Sequence, residues 1–178
     1  MTTEVINESG MTFGPYPDGM CFYIEKSELY SNVKQGVQIA EFLLLKHQSG
    51  KPVIWVVEAK SSSPRPETKP NFDTFISEIR EKMVNAFSLG WAAILGRHDA
   101  DELSESFNTL ELKDSAIRFV LIIKNHNEAW LPPLQDALKI ALHSTIKTWS
   151  LSPLSVLVMN ENIATKHGLI LPHSEASF

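Results

Sequence analysis

The sequence of 178 residues lacks the features that mark several specialised classes of protein. Its single cysteine, Cys21, excludes an internal disulfide and is typical of a reducing compartment. No stretch approaches the ~18 uninterrupted apolar residues of a membrane-spanning helix. The first eight residues are acidic and contain no apolar segment, so we expect no signal peptide, no membrane partner and a cytoplasmic location.

Nucleotide-cofactor motifs, zinc motifs and an excess of basic residues are also missing. The chain has neither a G-x-G-x-x-G sequence nor a phosphate-binding G-K-[ST] loop, and its six histidines show no zinc-ligand spacing. Lys and Arg total 16 against 21 Asp and Glu, which gives a formal net charge of −5. Freestanding nucleic-acid binders are usually basic, so this charge argues against tight non-specific DNA binding. It leaves room for a local basic patch on an acidic domain.

The chain is long enough for one domain with a sizeable core. Residues 1–20 are rich in Gly and Pro and predict an irregular lead-in. Residues 21–178 are expected to form a single domain, in which strands alternate with helices in the order β-β-β-α-β-α-β. That order predicts an α/β fold with helices covering a sheet.

The predicted elements follow from periodicity and from turn residues. Residues 98–116 are polar and predict a surface excursion, and the proline- and serine-rich segment 61–70 predicts a loop. The predicted strands are 21–27 (with a short helix as the alternative), 37–47, 52–60, 118–124 and 154–159. The predicted helices run from 71 to about 95, along the apolar stripe 134–149, and over 160–166.

The hairpin between the second and third predicted strands brings charged residues together. If Ser49-Gly50 is a two-residue turn, directly opposed residues have numbers that sum to 99, so Glu41 faces Glu58. Side chains alternate along a strand, which places Lys60 on the same face as Glu58. A slip of one residue would scatter the three groups.

Two carboxylates facing each other in an apolar sheet repel one another and are costly to bury. A divalent cation held between Glu41 and Glu58 would relieve that repulsion, and oxygen ligands of this kind suit Mg²⁺ or Mn²⁺. The backbone carbonyl of Ala59 is a natural third ligand. Lys60 would position the nucleophilic water and stabilise charge on a phosphate in the transition state. The alternative is that both acids are strand-end residues that reach water, with Lys60 pairing one of them.

Glu41, the hairpin, the triplet Glu58-Ala59-Lys60 and the following helix resemble the PD-(D/E)XK nuclease superfamily, over roughly residues 21–125. That superfamily places an acid on one strand and a (D/E)-x-K triplet on the next. The resemblance implies a restriction-endonuclease-like three-layer core, with a mixed β-sheet flanked by helices. Two departures are that Glu41 follows Ala40 where the pattern has Pro-Asp, and that no separate DNA-reading domain is evident.

Five further residues are candidates for the site. Glu25 would be an additional acid of the kind that some members of the superfamily have, although a solvated surface residue is the alternative. Glu78 and Lys82 lie four residues apart on one helix face, and either reach the site or form a surface ion pair. Arg65 and Lys69, in the loop after the triplet, are candidate phosphate contacts or are simply solvated.

The function that these residues predict is a Mg²⁺- or Mn²⁺-dependent nuclease that cuts DNA rather than RNA. Because the chain is small and acidic, it is expected to work with a partner protein or as a homodimer. A second hypothesis is a catalytically silent nuclease-like module that binds a protein partner. A third is a small α/β protein with an accidental triad, which predicts that Glu41 and Glu58 do not face each other.

Overall fold

A computed structural model describes residues 4–99 and 101–171, and within these ranges the chain forms seven strands and six α-helices. In chain order they are β1 (Ile6–Glu8), β2 (Met11–Phe13), β3 (Cys21–Phe22), α1 (Glu28–Val33), β4 (Phe42–Gln48), β5 (Lys51–Lys60), α2 (Asn71–Ile94), α3 (Glu105–Asn108), β6 (Ala116–Ile123), α4 (Leu131–Ala141), α5 (His143–Thr148), β7 (Val156–Asn160) and α6 (Glu161–Lys166).

Strands β3 to β7 form one mixed sheet in the order β3-β4-β5-β6-β7. The first three strands pair antiparallel, and β5, β6 and β7 pair parallel. Helices α2 and α4 pack on one face, whereas α6 and the β1–β2 hairpin contribute to the core on the other face. The predicted α/β class, with a mixed sheet flanked by helices, is therefore confirmed.

The predicted register of the central hairpin is also confirmed along β4, but the predicted pair of Glu41 with Glu58 lies outside the paired residues. Strand β4 pairs with β5 from Phe42 opposite Val57 to Gln48 opposite Lys51, so every pair of numbers sums to 99. The turn residues Ser49 and Gly50 have φ angles of 51° and 76°. Positive φ at both central residues is the geometry of a type I′ turn, which matches the twist of the flanking strands.

Helix α2 is the long helix that the apolar spacing predicts. Its buried residues Ile76, Ile79, Met83 and Phe87 recur at three- and four-residue steps and face the sheet. The proline-rich segment before it is a loop, as predicted. Because α2 crosses the face on which Val56 is buried, its polar residues can approach the next residue on that face of β5, which is Glu58.

The prediction of an irregular lead-in is wrong over part of residues 1–20, because β1 and β2 form an antiparallel hairpin there. The turn between them contains Ser9 and Gly10, both with positive φ. Ile6, Met11 and Phe13 are buried against the second face of the sheet. The hairpin forms because these apolar side chains cover a sheet face that no long helix occupies.

The predicted strand 21–27 is wrong beyond its first two residues. Only Cys21–Phe22 pairs with β4, and the chain then enters a 3₁₀ turn at Ile24–Lys26 and helix α1. Ser27 caps this helix, because its side chain accepts a hydrogen bond from the backbone N–H of Tyr30. The short helix that the sequence left as an alternative is closer to the structure.

Several other boundaries differ from the predictions. The polar segment 98–116 contributes Leu103 and Phe107 to the core, so it is more than a surface excursion. The apolar stripe 134–149 is divided at Leu142 into α4 and α5, and the strand predicted over 37–47 begins only at Phe42.

Across the part of the chain that the structure describes, no helix has both the length and the apolar character needed to cross a membrane.

Candidate active site

Strand β5 and helix α2 meet at a buried cluster of charges. Glu58 is 0% exposed, and its Oε1 atom lies 3.0 Å from Nζ of Lys60 and 2.9 Å from Nζ of Lys82. Lys60 follows Glu58 on the same face of the strand, as the alternation predicts. Lys82 reaches the same oxygen from α2. The sequence leaves two alternatives for Lys82, and this contact is with a residue of the candidate site rather than with Glu78.

The two ammonium groups explain how a carboxylate can occupy the interior of the sheet. An unpaired buried carboxylate is strongly disfavoured, whereas ion pairing and hydrogen bonding offset much of that cost. Burial lowers the pKa of Lys82, but the nearby charge of Glu58 outweighs burial and leaves the pKa above its ordinary value. Lys82 therefore stays charged at neutral pH. The second carboxylate oxygen of Glu58, Oε2, is buried without a hydrogen-bond partner among the described residues.

Glu41 lies one residue before β4 and is 6% exposed. Its backbone N–H donates to the carbonyl of Val57 at 3.0 Å, although Val57 is already paired with Phe42, so Glu41 lies outside the regular pairing of the hairpin and is not directly opposite Glu58. Burial, followed by the charges of Glu58, Glu8 and Glu25, raises the pKa of Glu41 to about 8. Its Oε2 atom is also buried without a partner within residues 4–99 and 101–171. Glu41 and Glu58 are therefore close enough to interact electrostatically, but they do not face each other in the paired register as the sequence predicts.

Two further acids join Glu41 on the side of the cluster nearest the β1–β2 hairpin. One carboxylate oxygen from each of Glu8, Glu25 and Glu41 lies within 4.8 Å of the other two. The hydroxyl of Tyr23 donates a hydrogen bond to Glu8. Burial, this hydrogen bond and the neighbouring carboxylates raise the pKa of Tyr23, which therefore remains a neutral donor. Glu41 belongs to this acidic trio and also interacts electrostatically with Glu58 and Lys82.

The backbone carbonyl of Ala59, which the sequence predicts as a metal ligand, accepts a hydrogen bond from the Ser9 hydroxyl at 2.9 Å. Ser9 belongs to the turn of the β1–β2 hairpin, so this bond fixes that turn to β5. A carbonyl oxygen has two lone pairs. Ligation by Ala59 therefore requires the lone pair that Ser9 does not use, or displacement of the Ser9 hydroxyl.

The donor atoms of the cluster fit a hard divalent cation. Mg²⁺ and Mn²⁺ prefer carboxylate and carbonyl oxygens, and opposite ligands of an octahedral Mg²⁺ lie about 4.2 Å apart. The oxygens of Glu8, Glu25 and Glu41 already lie within 4.8 Å of one another. The Oε2 atoms of Glu41 and Glu58 are buried, and neither accepts a hydrogen bond from any described residue. A cation beside Glu41 would supply the missing positive charge.

The remaining candidates from the sequence lie outside this cluster. Glu78 is exposed, and among the described residues the ion-pair partner of Lys82 is Glu58 rather than Glu78. Lys69 lies 3.9 Å from Asp73 in an exposed pair one helical turn apart. Arg65 stacks on the indole ring of Trp130, with its guanidinium carbon 4.4 Å from the ring centroid.

Glu8 is the site residue that the sequence analysis missed. It lies in the segment that was predicted to be irregular, and only the hairpin places it beside Glu41. A signal for that hairpin is present in the sequence, because the turn dipeptide Ser9-Gly10 precedes Met11-Thr12-Phe13, a short run in which apolar and polar residues alternate. Comparisons of the chain with protein-family models, with curated proteins and with solved structures gave no match.

Proposed function

We propose that this chain is a divalent-metal-dependent nuclease that hydrolyses phosphodiester bonds in DNA rather than RNA. The observation that supports this function most strongly is the buried Glu58–Lys60 pair beside Glu41, whose pKa is raised to about 8. A purely structural sheet would not benefit from unpartnered carboxylate oxygens at such positions. Perturbed ionisable groups of this kind are typical of functional sites.

The assignment to a restriction-endonuclease-like fold is part of the same proposal. It is supported by the position of Glu41 immediately before β4, by Glu58-Ala59-Lys60 at the end of the antiparallel partner β5, and by the helix that follows. The parallel pairing of β5 with β6 then makes the sheet mixed. The chain thus has the acid, the triplet and the flanking elements in the order that the resemblance implies.

The residues of the site divide the chemical work between them. Glu41 and Glu58 are the proposed ligands of Mg²⁺ or Mn²⁺, with Glu8 and Glu25 as neighbouring acids. The cation, when bound, supplies Lewis-acid polarisation and charge neutralisation at the scissile phosphate. Lys60, held by Glu58, orients the attacking water and stabilises negative charge that develops on the phosphate. Lys82 pairs with the carboxylate of Glu58 and fixes it in position.

A silent nuclease-like module that binds a protein is the second candidate. The net charge of −5 favours it, as do exposed apolar side chains such as Ile140, which is 77% exposed. The buried charges oppose it, because a module without chemistry would be more stable with apolar residues at these positions.

Cleavage of end-labelled DNA is the direct test of the proposed function. Wild-type protein should cut a labelled oligonucleotide in the presence of Mg²⁺ or Mn²⁺ and not in the presence of EDTA. Glu41→Gln should abolish this cleavage, whereas Glu78→Gln, at an exposed position on α2, should cut like the wild type. Equal cleavage by Glu41→Gln would indicate a contaminating nuclease or a different site. Absence of cleavage by the wild type on DNA and RNA alike would favour the silent module.

A further inference from the structure

A small pocket lies between the loop that follows β5 and the start of α4. Its volume is about 110 Å³, and its walls include Arg65, His126 and Trp130 together with the rings of Pro64 and Pro133. Trp130 is 42% exposed. Leu134 and the exposed acidic residue Glu67 also line the pocket, which is therefore formed mainly by rings with one guanidinium and one carboxylate, and it is far too small for a paired duplex.

Among the described residues, the guanidinium of Arg65 has no hydrogen-bond or ion-pair partner. The guanidinium of Arg65 lies over the ring of Trp130, but no carboxylate or carbonyl in residues 4–99 and 101–171 accepts a hydrogen bond from it. Stacking on an aromatic face holds a guanidinium flat while leaving its N–H edges free. Free N–H edges in a fixed plane suit a phosphate group, which arginine can bind through two hydrogen bonds.

The aromatic wall of the pocket is held rigidly in place. The ring of His126 packs edge-on against that of Trp130, with centroids 5.5 Å apart. The buried side chain of Asn160 donates to the carbonyl of His126 at 2.9 Å, and Asn127 caps the turn that contains Trp130. Burial lowers the pKa of His126, so this ring is neutral at physiological pH and contributes a flat polar surface.

The pocket lies near the same edge of the sheet as the candidate active site. Arg65 is five residues beyond Lys60, so their Cα atoms are at most ~18 Å apart even in an extended chain. The backbone N–H of Lys124 donates to the carbonyl of Lys60 at 2.9 Å, and His126 follows two residues later. Both walls of the pocket therefore begin where β5 and β6 end. The hydroxyl of Ser63, on the path between Lys60 and Arg65, is buried without a partner among the described residues.

We propose that Arg65 and Trp130 bind one unpaired nucleotide of the substrate, with its base stacked on the exposed part of the indole ring and its phosphate on the guanidinium. This inference rests on the proposed nuclease function and specifies its substrate as nucleic acid with a single-stranded segment. A base can stack on an aromatic side chain only when it is released from its own helix. Walls lined by rings would by themselves also accept a neutral proline-rich peptide. The guanidinium of Arg65, which has no ion-pair partner among the described residues, favours an anionic ligand instead.

Binding of matched oligonucleotides tests this inference. The probes are a fluorescein-labelled 20-nucleotide single strand and the blunt duplex of the same sequence, with Ca²⁺ replacing Mg²⁺, and the readout is fluorescence anisotropy. Trp130→Leu should weaken single-strand binding roughly tenfold or more, in line with the effect of removing one stacking side chain, and should change duplex binding less than about twofold. Arg65→Ala should also weaken single-strand binding and reduce its dependence on salt.

Trp149→Leu is the matched control, because Trp149 is 51% exposed and contacts Phe87 rather than the pocket. Circular dichroism would verify that each variant is folded. If Trp130→Leu and Trp149→Leu have equal effects, or if single strand and duplex are weakened alike, the nucleotide pocket is wrong. Should cleavage still depend on Mg²⁺ in that case, the nuclease proposal survives. If the wild type neither binds nor cuts any oligonucleotide, both proposals fall together.

Discussion

Lys60→Met is expected to lower the rate of metal-dependent DNA cleavage by about 10²–10³-fold while leaving Mn²⁺ binding intact. Removing one preorganised group that stabilises transition-state charge typically costs a factor of this size. Lys60 carries no ligand atom for a cation, and Glu58 retains its second ammonium partner, Lys82, at 2.9 Å. The variant should therefore remain folded and separate catalysis from metal binding. The measurements are single-turnover cleavage rates and Mn²⁺ calorimetry on the same preparation.

Lys46→Met is the matched control for this experiment. Lys46 is also partly buried and lies on the neighbouring strand β4, but its ammonium donates to the carbonyl of His167 and lies over the ring of Trp55. Its loss should leave the cleavage rate within a factor of about two, since it touches no residue of the cluster. Unchanged cleavage by Lys60→Met would assign Lys60 a structural role only. Loss of Mn²⁺ binding together with cleavage would mean that Lys60 organises the acidic cluster rather than the reaction.

The second large effect concerns the stability of the metal-free protein as pH rises. The pKa of Glu41 is about 8 in the folded protein, against an ordinary value of 4.5. Between these two values the unfolded chain releases a proton that the folded chain retains. The contribution of Glu41 to the free energy of unfolding is therefore fully present below about pH 4.5 and is lost as pH rises to about 8. A difference of one between the pKa values in the folded and unfolded chains changes the free energy of unfolding by about 1.4 kcal/mol.

Glu41→Gln should remove this dependence. At pH 4.5 the variant and the wild type should unfold at similar urea concentrations, because both side chains are neutral. At pH 8.5 the metal-free variant should be more stable by on the order of 2–4 kcal/mol, since the wild type must hold a charged carboxylate beside Glu58 and Glu8. Adding Mn²⁺ at pH 8.5 should stabilise the wild type and not the variant.

Glu78→Gln provides the comparison for this series, because Glu78 is an exposed carboxylate and should show no such pH-dependent gain. Urea denaturation of all three proteins at pH 4.5 and pH 8.5, with and without Mn²⁺, gives the needed free energies. If Glu41→Gln is less stable than the wild type at pH 8.5 in the absence of metal, then Glu41 is a stabilising partner in the sheet. The argument for a cation at this position would then fail.

The parts of the fold that follow local rules could be predicted from the sequence. The register of β4 and β5 follows from a two-residue turn, and strict alternation along a strand predicts that Glu58 and Lys60 share one face. The spacing of apolar residues likewise predicts α2 from residue 71. These features depend on neighbours a few residues apart, where periodicity is a strong signal.

Features that depend on distant parts of the chain were harder to predict. Phe107 is completely buried, although the polar residues around it predict a surface segment. Glu8 enters the acidic cluster only because the β1–β2 hairpin covers a sheet face 30 or more residues further along the chain. The helix face of Lys82 leaves both a contact with the site and a surface ion pair with Glu78 open, and its choice of Glu58 depends on how α2 crosses β5. Burial and partner choice of this kind are decided by tertiary packing.

Calorimetric titration of the metal-free protein with Mn²⁺ at pH 7.5 tests the central claim most directly, because it requires no knowledge of the substrate sequence. The account predicts saturable binding to the wild type and to Glu78→Gln, and loss of that binding in Glu41→Gln and in Glu58→Ala. Addition of a short phosphorothioate single strand should strengthen binding to the wild type. Failure of the wild type to bind Mn²⁺ even with this strand present, or binding by Glu41→Gln equal to that of the wild type, would contradict a metal-dependent nuclease site at Glu41 and Glu58.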